Sequence, residues 1–439
     1  MAFPEEGSRV KPSQGVRPSA FDGLPAAPES TDHLSPVALG EEDNVGVTAM
    51  GLVSKSPKEN YTTAKEHFGE SSAIAFIQQL QDTLRLDSTV SNRDSELPHS
   101  RRLGHKERDS RPSPGIEIGS LPPRALADHL VSCYFSKIHT LYPFVHEPAF
   151  MEEYQSLWSP DGSASTRIKA RGLGLGSLDV SSTTFYFALN VVFALGCQFS
   201  DVVLAGREVT SEAFFHLCKP ALDLNYLENG DLALCQLLLL MAHYLQSSST
   251  PNRCWHVIGM ACRAAQALGL HSGAGDKRCS FAEIQIRRRV WHGCVILDLS
   301  ASTMLGRPAM ISQRPLSPKP KAIDDCYLTV ADATCEQPPG IFSRISWFVE
   351  TLKLHEILRT ILFKLYNNGG LEAVEATGHP TNSRNGPDIQ SIAQIDAELQ
   401  AFKQNLPKPL DWDLKAHKNN GEGFLREMLL LKARTPNMQ

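Results

Sequence analysis

The sequence predicts an all-α fold: a multi-helix globular domain behind a disordered N-terminal tail. Three observations carry that expectation. From Ser120 onward apolar residues recur at steps of three and four, the period of an amphipathic helix, and no comparable stretch alternates with period two. Across the 439 residues, 42% are hydrophobic and 21% charged, a globular composition that excludes wholesale disorder, collagen-like repeats and a polytopic membrane protein. Residues 1–62 hold seven prolines and only three aromatics, Phe3, Phe21 and Tyr61, too little apolar surface to offset the entropy of ordering.

In chain order, the acidic tail 1–62 is followed by a short helical motif over 63–88. Ser71 or Ser72 can cap it, and Ile77, Leu80 and Leu84 recur at helical spacing. Residues 89–119 return to linker composition. Their Arg101, Arg102, Lys106, Arg108 and Arg111 fit a solvated linker better than a nuclear import signal, because Glu107 and Asp109 interrupt them. The folded domain spans 120–435. It opens with Leu126, Leu130, Tyr134 and Ile138 at four-residue steps after Pro122-Pro123. Further helices are expected near 148–157, 181–199, 205–227, 231–246, 251–268, 281–305, 341–367, 388–404 and 421–432. Looser segments fall near 159–180, 306–340 and 369–387. Uncharged runs at 181–200 and 232–251 have apolar centres of roughly 14–15 residues where a membrane span needs ~20, so buried core helices are expected and no membrane.

The formal charge of -5 comes entirely from residues 1–120, with 13 Lys+Arg against 18 Asp+Glu. Nucleic-acid domains show a basic surplus, so any DNA contact must be local or lie elsewhere. The ten cysteines begin at Cys133 and include no C-x-x-C pair. Without an apolar signal segment in Met1 to Leu24, they read as reduced thiols of a cytosolic or nuclear protein, and no metal site is expected.

Catalytic patterns come close and fail. His355-Glu356-Ile357-Leu358-Arg359 puts Arg where a zinc protease helix needs its second His. Gly69-Glu70-Ser71-Ser72-Ala73 lacks the closing glycine of a nucleophile elbow and reads as a helix cap. Gly172-Leu173-Gly174-Leu175-Gly176 lacks the third glycine of a phosphate loop and reads as a flexible loop. The chain is therefore not expected to be an enzyme.

The most informative residues lie between Asn252 and Pro308. Pro251 suits a first helical position with Thr250 as its cap, and Trp255, Ile258, Cys262, Ala265 and Gly269 follow at helical steps. Gly259, Ala261, Ala264 and Ala265 would admit a close helix neighbour. Next, Ile286, Val290, Leu297, Ala301 and Met304 form a core stripe, so Arg287, Arg288 and Arg289 fan over about 200° and cannot all grip one ligand. If Asp298 is buried it needs a partner from another element, since an unpaired buried charge costs several kcal/mol, and Arg263 and Arg307 are the candidates.

These words resemble the regulatory middle region of fungal zinc-cluster transcription factors. They are Leu121-Pro122-Pro123; His139-Thr140-Leu141-Tyr142-Pro143-Phe144-Val145-His146; Trp255 to Ala261; Ala267-Leu268-Gly269-Leu270-His271; Arg287-Arg288-Arg289-Val290-Trp291; Leu297-Asp298; and Leu305-Gly306-Arg307-Pro308. The resemblance covers about 120–435, and Phe68 to Leu80 is similar to a shorter word that often precedes that region. It implies a nuclear regulator of transcription with a structural or regulatory network at Arg263, Arg287, Arg288, Arg289, Trp291, Asp298, Gly306, Arg307 and Pro308. Family members begin with six cysteines that bind zinc and read DNA, whereas this chain has none before Cys133. Zinc is therefore expected only in that missing cluster, and DNA contact only through a missing segment or a partner chain. Truncation at both ends is expected. Other expected partners are the transcription machinery, a second zinc-cluster factor, a small-molecule effector and a second copy of the chain. The competing expectation is a stand-alone helical interaction protein that modulates a full-length factor.

Overall fold

The computed structural model describes residues 45–48, 51–54, 69, 71–72, 75–76, 79, 121–158, 171–202, 206–228, 230–248, 250–273, 275–311, 316–332, 334–366 and 389–410. The expected linker 89–119, the expected helix 421–432 and most of the expected tail lie outside them. Within the tail, β1 (Val45–Thr48) and β2 (Gly51–Ser54) pair antiparallel, Val45 opposite Ser54 and Thr48 opposite Gly51. This differs from the unstructured reading of 45–54. Four-residue runs, VGVT and GLVS, are too short to register against the surrounding proline-rich composition.

The other regular structure among the described residues is helical, as the periodicity predicts. The helices are α1 (Arg124–Cys133), α2 (Glu147–Ser156), α3 (Ser182–Phe199), α4 (Arg207–His216), α5 (Leu224–Leu227), α6 (Leu232–Gln246), α7 (Pro251–Ala267), α8 (Phe281–Leu305), α9 (Ser346–Ile361) and α10 (Ile389–Gln404). Helix α1 runs on into a wider π turn, Tyr134–Ile138, as α9 does over Leu362–Tyr366. The single helix expected over 205–227 is three pieces. Pro220 has no amide to continue the ladder, and a 3-10 turn, Lys219–Leu222, takes its place between α4 and α5.

Side-chain caps set several helix starts. Ser181 accepts from the Thr184 amide at 3.1 Å, Asp231 from Leu234 at 2.7 Å and Ser280 from Glu283 at 3.2 Å. Thr250 does not cap α7. Its hydroxyl pairs with Ser248 at 2.9 Å, and Pro251 alone marks the start. In the 63–88 motif the cap is Ser72, which accepts from the Ala75 amide at 3.1 Å. The Gly69 amide just before it donates to the Leu305 carbonyl at 3.1 Å, where α8 ends.

Helix α3 is buried on every face, as is α6, which identifies both as core helices. By length and composition α3 could cross a membrane, but 78% of its apolar window is buried inside the protein. Helix α6 packs on α3, α7 and α8; α1 and α4 flank α3; α9 joins α8 to α10. Backbones meet where glycine allows it: a Cβ at Gly196 would lie 2.3 Å from the Leu130 carbonyl oxygen. Helix α8 carries more than the expected stripe, because every residue from Arg289 to Leu299 is buried while Met304 is only half-buried. Neighbours on several sides force polar residues of α8 into the interior.

The Gly172–Gly176 segment is a packed turn rather than a flexible loop. All three glycines have positive φ, between 78° and 89°, and Leu173 and Leu175 are fully buried. Gln236 of α6 locks the turn: its Oε1 accepts from the Leu175 amide at 2.7 Å, and its Nε2 donates to the carbonyls of Phe144 at 2.8 Å and Leu173 at 3.1 Å.

Candidate functional site: a buried ionic node and a cleft

The fully buried Arg289 donates through Nη1 to Asp325 Oδ1, and through Nη2 to the Ile323 carbonyl at 2.7 Å. Asp325 sits on a short 3-10 turn, Asp325–Tyr327. Its Oδ2 accepts from the Glu147 amide at 2.9 Å and faces His139 Nε2 at 3.1 Å. Burial by itself would raise the Asp325 pKa, but the Arg289 guanidinium and the His139 bond outweigh it and hold the carboxyl well below the usual carboxylate range. Nearby, His146 caps α2: its Nδ1 accepts from the Ala149 amide at 3.3 Å and its Nε2 donates to the Leu328 carbonyl at 2.9 Å. That pattern is the neutral tautomer, and burial accordingly pushes the His146 pKa down. One carboxylate thus ties α8 to the turn after α1 and to the first residue of α2.

The residues singled out from sequence do not form one network. Arg287 and Arg288 both approach Asp276 at 3.7 Å, while Arg289 turns inward to Asp325, so the triplet fans out as helical geometry requires. Asp298 is buried, yet its partner is neither Arg263 nor Arg307. Its oxygens accept from the backbone amides of Met310 at 3.2 Å and Ile311 at 2.8 Å. Burial raises the Asp298 pKa, and the two amides together with the Arg359 charge oppose that rise. Arg307 lies over the Trp255 ring, 5.3 Å from its centroid. Gly306, at φ 65°, terminates α8, and the Arg307 amide closes the end on the Ser302 carbonyl at 2.9 Å. The Pro308 carbonyl accepts from the Ser302 hydroxyl at 3.5 Å. Trp291 is buried with its ring 5.9 Å from that of His271.

Sequence reasoning missed Asp325, His139 and His146. The two histidines stand in the word around Pro143, but neither was given a role. Asp325 lies 36 residues from Arg289 and 186 from His139, in a segment without periodicity.

A cleft of about 500 Å³ opens beside α7. Trp255, Met260, Met310 and Leu234 supply its apolar walls, Arg263 and Asp298 polar groups. Gly259, expected to admit a close helix, faces this space instead, and a Cβ there would meet only the Met310 methyl at 3.3 Å.

Among the described residues no three His, Cys, Asp or Glu side chains are grouped to hold a metal ion. Cys218 donates to the Phe187 carbonyl at 3.1 Å and Cys254 to that of Ala242 at 3.4 Å, as protonated S–H groups do. Burial pushes the pKa of Cys197, Cys235 and Cys254 up to about 12 each, which keeps them protonated.

Comparison with known proteins places this helical body. The family model described as "Fungal specific transcription factor domain" matches residues 131–366, from within α1 to the last residue of the turn after α9. The chain belongs to that family. The cutinase transcription factor 1 alpha of Fusarium vanettenii is 26% identical over 300 residues, 68% of this chain and 29% of its own. The lactose regulatory protein LAC9 of Kluyveromyces lactis is 26% identical over 332 residues, covering 75% of this chain and 33% of that protein. The activator of stress genes 1 of Saccharomyces cerevisiae is 23% identical over 349 residues, 75% and 34% of the two chains. The match thus spans about a third of these relatives. No solved structure matches. The family domain coincides with the helices that carry the ionic node, and both Arg289 and Asp325 lie inside it.

Proposed function

We propose that the chain is a nuclear regulator of transcription of the zinc-cluster class that acts through its helical body, with base recognition supplied by another segment or by a partner chain. Its family supports the regulatory half of this reading, as do the names of relatives from three fungi. The single observation that carries it is the match of the fungal transcription factor domain to the helical body. The separation from base reading rests on the cysteines, which lack C-x-x-C spacing, and on a net charge of -5. No zinc and no catalytic step are assigned to this chain. Its partners are the transcription machinery, a second zinc-cluster factor or another copy of itself, and a small-molecule effector.

Two measurements test the reading. Fused to a heterologous DNA-binding domain, the full chain should change transcription of a reporter carrying that domain's site. An unchanged transcript level, with the fusion expressed, would refute the regulatory role. Unfused, the chain should bind duplex DNA no tighter than the non-specific range of ~10⁻⁴–10⁻⁶ M at physiological salt. Tight site-specific binding, or stoichiometric zinc in the purified protein, would overturn the separation of control from base reading.

A further inference from the structure

The arginines singled out on α8 and just after it are held by partners, and Arg263 on α7 is held less closely. Arg287 and Arg288 share Asp276, Arg289 holds Asp325, and Arg307 covers Trp255. Arg263 is exposed at the cleft, and among the described residues its hydrogen bond is a long one, 3.5 Å to Gln266 Oε1. A guanidinium carries five donors, so this one retains unused capacity directed at anions. The cleft beside it has the volume of a small-molecule site, which typically runs to ~300–1,000 Å³ with mostly apolar walls and few polar groups. Helix α7 makes the room by carrying Gly259, Ala264 and Ala267 on this side, where larger residues would fill it. Trp255 adds an aromatic wall held in place by Arg307. The cleft's other charged group, Asp298, already accepts two backbone amides.

We propose that this cleft binds a small amphipathic organic anion, an aromatic or aliphatic body ending in one carboxylate or sulfonate. The body lies between Trp255 and Met310, and the anionic end pairs with Arg263. The proposal deepens the reading of the helical body as a control module by giving its effector a place and a chemical class. Binding to the purified chain can nevertheless succeed or fail whatever the reporter assay returns.

The test uses two fluorescent probes that differ in charge, 8-anilinonaphthalene-1-sulfonate and its neutral parent N-phenyl-1-naphthylamine, titrated into the folded full-length chain. Both should saturate at one site, the sulfonate binding more tightly. Arg263→Gln should weaken the sulfonate by about tenfold, the equivalent of ~1.4 kcal/mol, and leave the neutral parent unchanged. Gly259→Leu should abolish both, and Ala267→Leu, at an exposed position, gives a second way to fill the cleft should Gly259→Leu prove unfolded by circular dichroism. Equal loss of both probes in Arg263→Gln, or no loss of either, refutes the anion assignment. Undiminished binding in a folded cleft-filling variant, or many weak sites in the wild type, refutes the cleft as the site.

Discussion

Replacing Asp325 by Asn keeps the shape of the node and removes its negative charge, leaving the Arg289 guanidinium at 0% exposure without a counter-ion. Breaking a buried pair on one side costs about 3–5 kcal/mol, because the surviving charge stays desolvated. In a urea titration of the full chain this should appear as a lower midpoint at unchanged slope, the sign of lost stability rather than a changed unfolded state. The companion variant Arg289→Met/Asp325→Leu removes both charges and should recover most of the loss, since apolar replacement of a buried pair is often neutral or stabilising. Acid provides an independent check. The folded-state pKa of Asp325 is depressed, so its contribution is fully present above the unfolded carboxyl value of ~3.9 and is lost as pH falls through that value toward the folded one. Wild type and Asp325→Asn should therefore converge in stability below about pH 4 and differ by a constant amount between pH 5 and 7. A midpoint within ~0.5 kcal/mol of wild type at pH 7, the scatter of surface substitutions, would show that the node does not stabilise the fold.

Gln236→Leu leaves the Leu175 amide and the carbonyls of Phe144 and Leu173 without their partner; at ~1–3 kcal/mol for each unsatisfied buried group, a loss of at least about 3 kcal/mol should follow in the same titration. His292, whose Nε2 donates to the carbonyls of Ser317 and Pro318, has its pKa pushed down to about 4 by burial. Its lowered folded value means stability that is present above the unfolded pKa of ~6.5 and lost on the way down to about 4, so wild type should lose about 2 kcal/mol more than His292→Gln between pH 7 and pH 5. Gly306→Ala forces a side chain into left-handed backbone at about 1–2 kcal/mol and sets its Cβ 2.4 Å from the Gly69 carbonyl oxygen. Amide exchange at Gly69, whose N–H is held by Leu305, should accelerate in that variant beyond what global destabilisation explains.

Helices α1, α3, α6, α7 and α8 were legible in the sequence because each buries a continuous face, and the starts of α3, α6 and α8 follow short-range capping that a linear reading can see. The failures have a different physical origin. Thr250 resembles a cap, but the hydroxyl of Ser248, two residues away, takes its bond. The glycines at 172–176 look like a flexible loop only until Gln236, some sixty residues on, is placed against them. The sequence raises the burial of Asp298 only as a condition, and the structure buries it. Its pairing with the amides of Met310 and Ile311 was not expected, because no sequence pattern announces which backbone groups a returning loop will present.

The same reasoning explains why the arginine triplet was recognised while its decisive partner was not. Three consecutive arginines on a helix must point three ways, and that follows from the pitch alone. Which one goes inward depends on the stripe: Arg289 adjoins Val290 and lies three residues after Ile286, both fully buried, so its side chain is committed to the interior and needs an anion there. The loop after α8 supplies Asp325, and the turn after α1 brings His139 to the same carboxylate. Arg289 and Asp298 are nine residues apart, roughly 13 Å along one helix at 1.5 Å per residue. The ionic node and the cleft wall therefore hang on the same rigid element, and each is closed by a different part of the one segment that follows it. Met310 and Ile311 meet Asp298, and Ile323 and Asp325 meet Arg289. An occupant of the cleft that displaced Met310 would act on this segment only a short way upstream of Asp325, which gives the two sites a covalent as well as a helical connection.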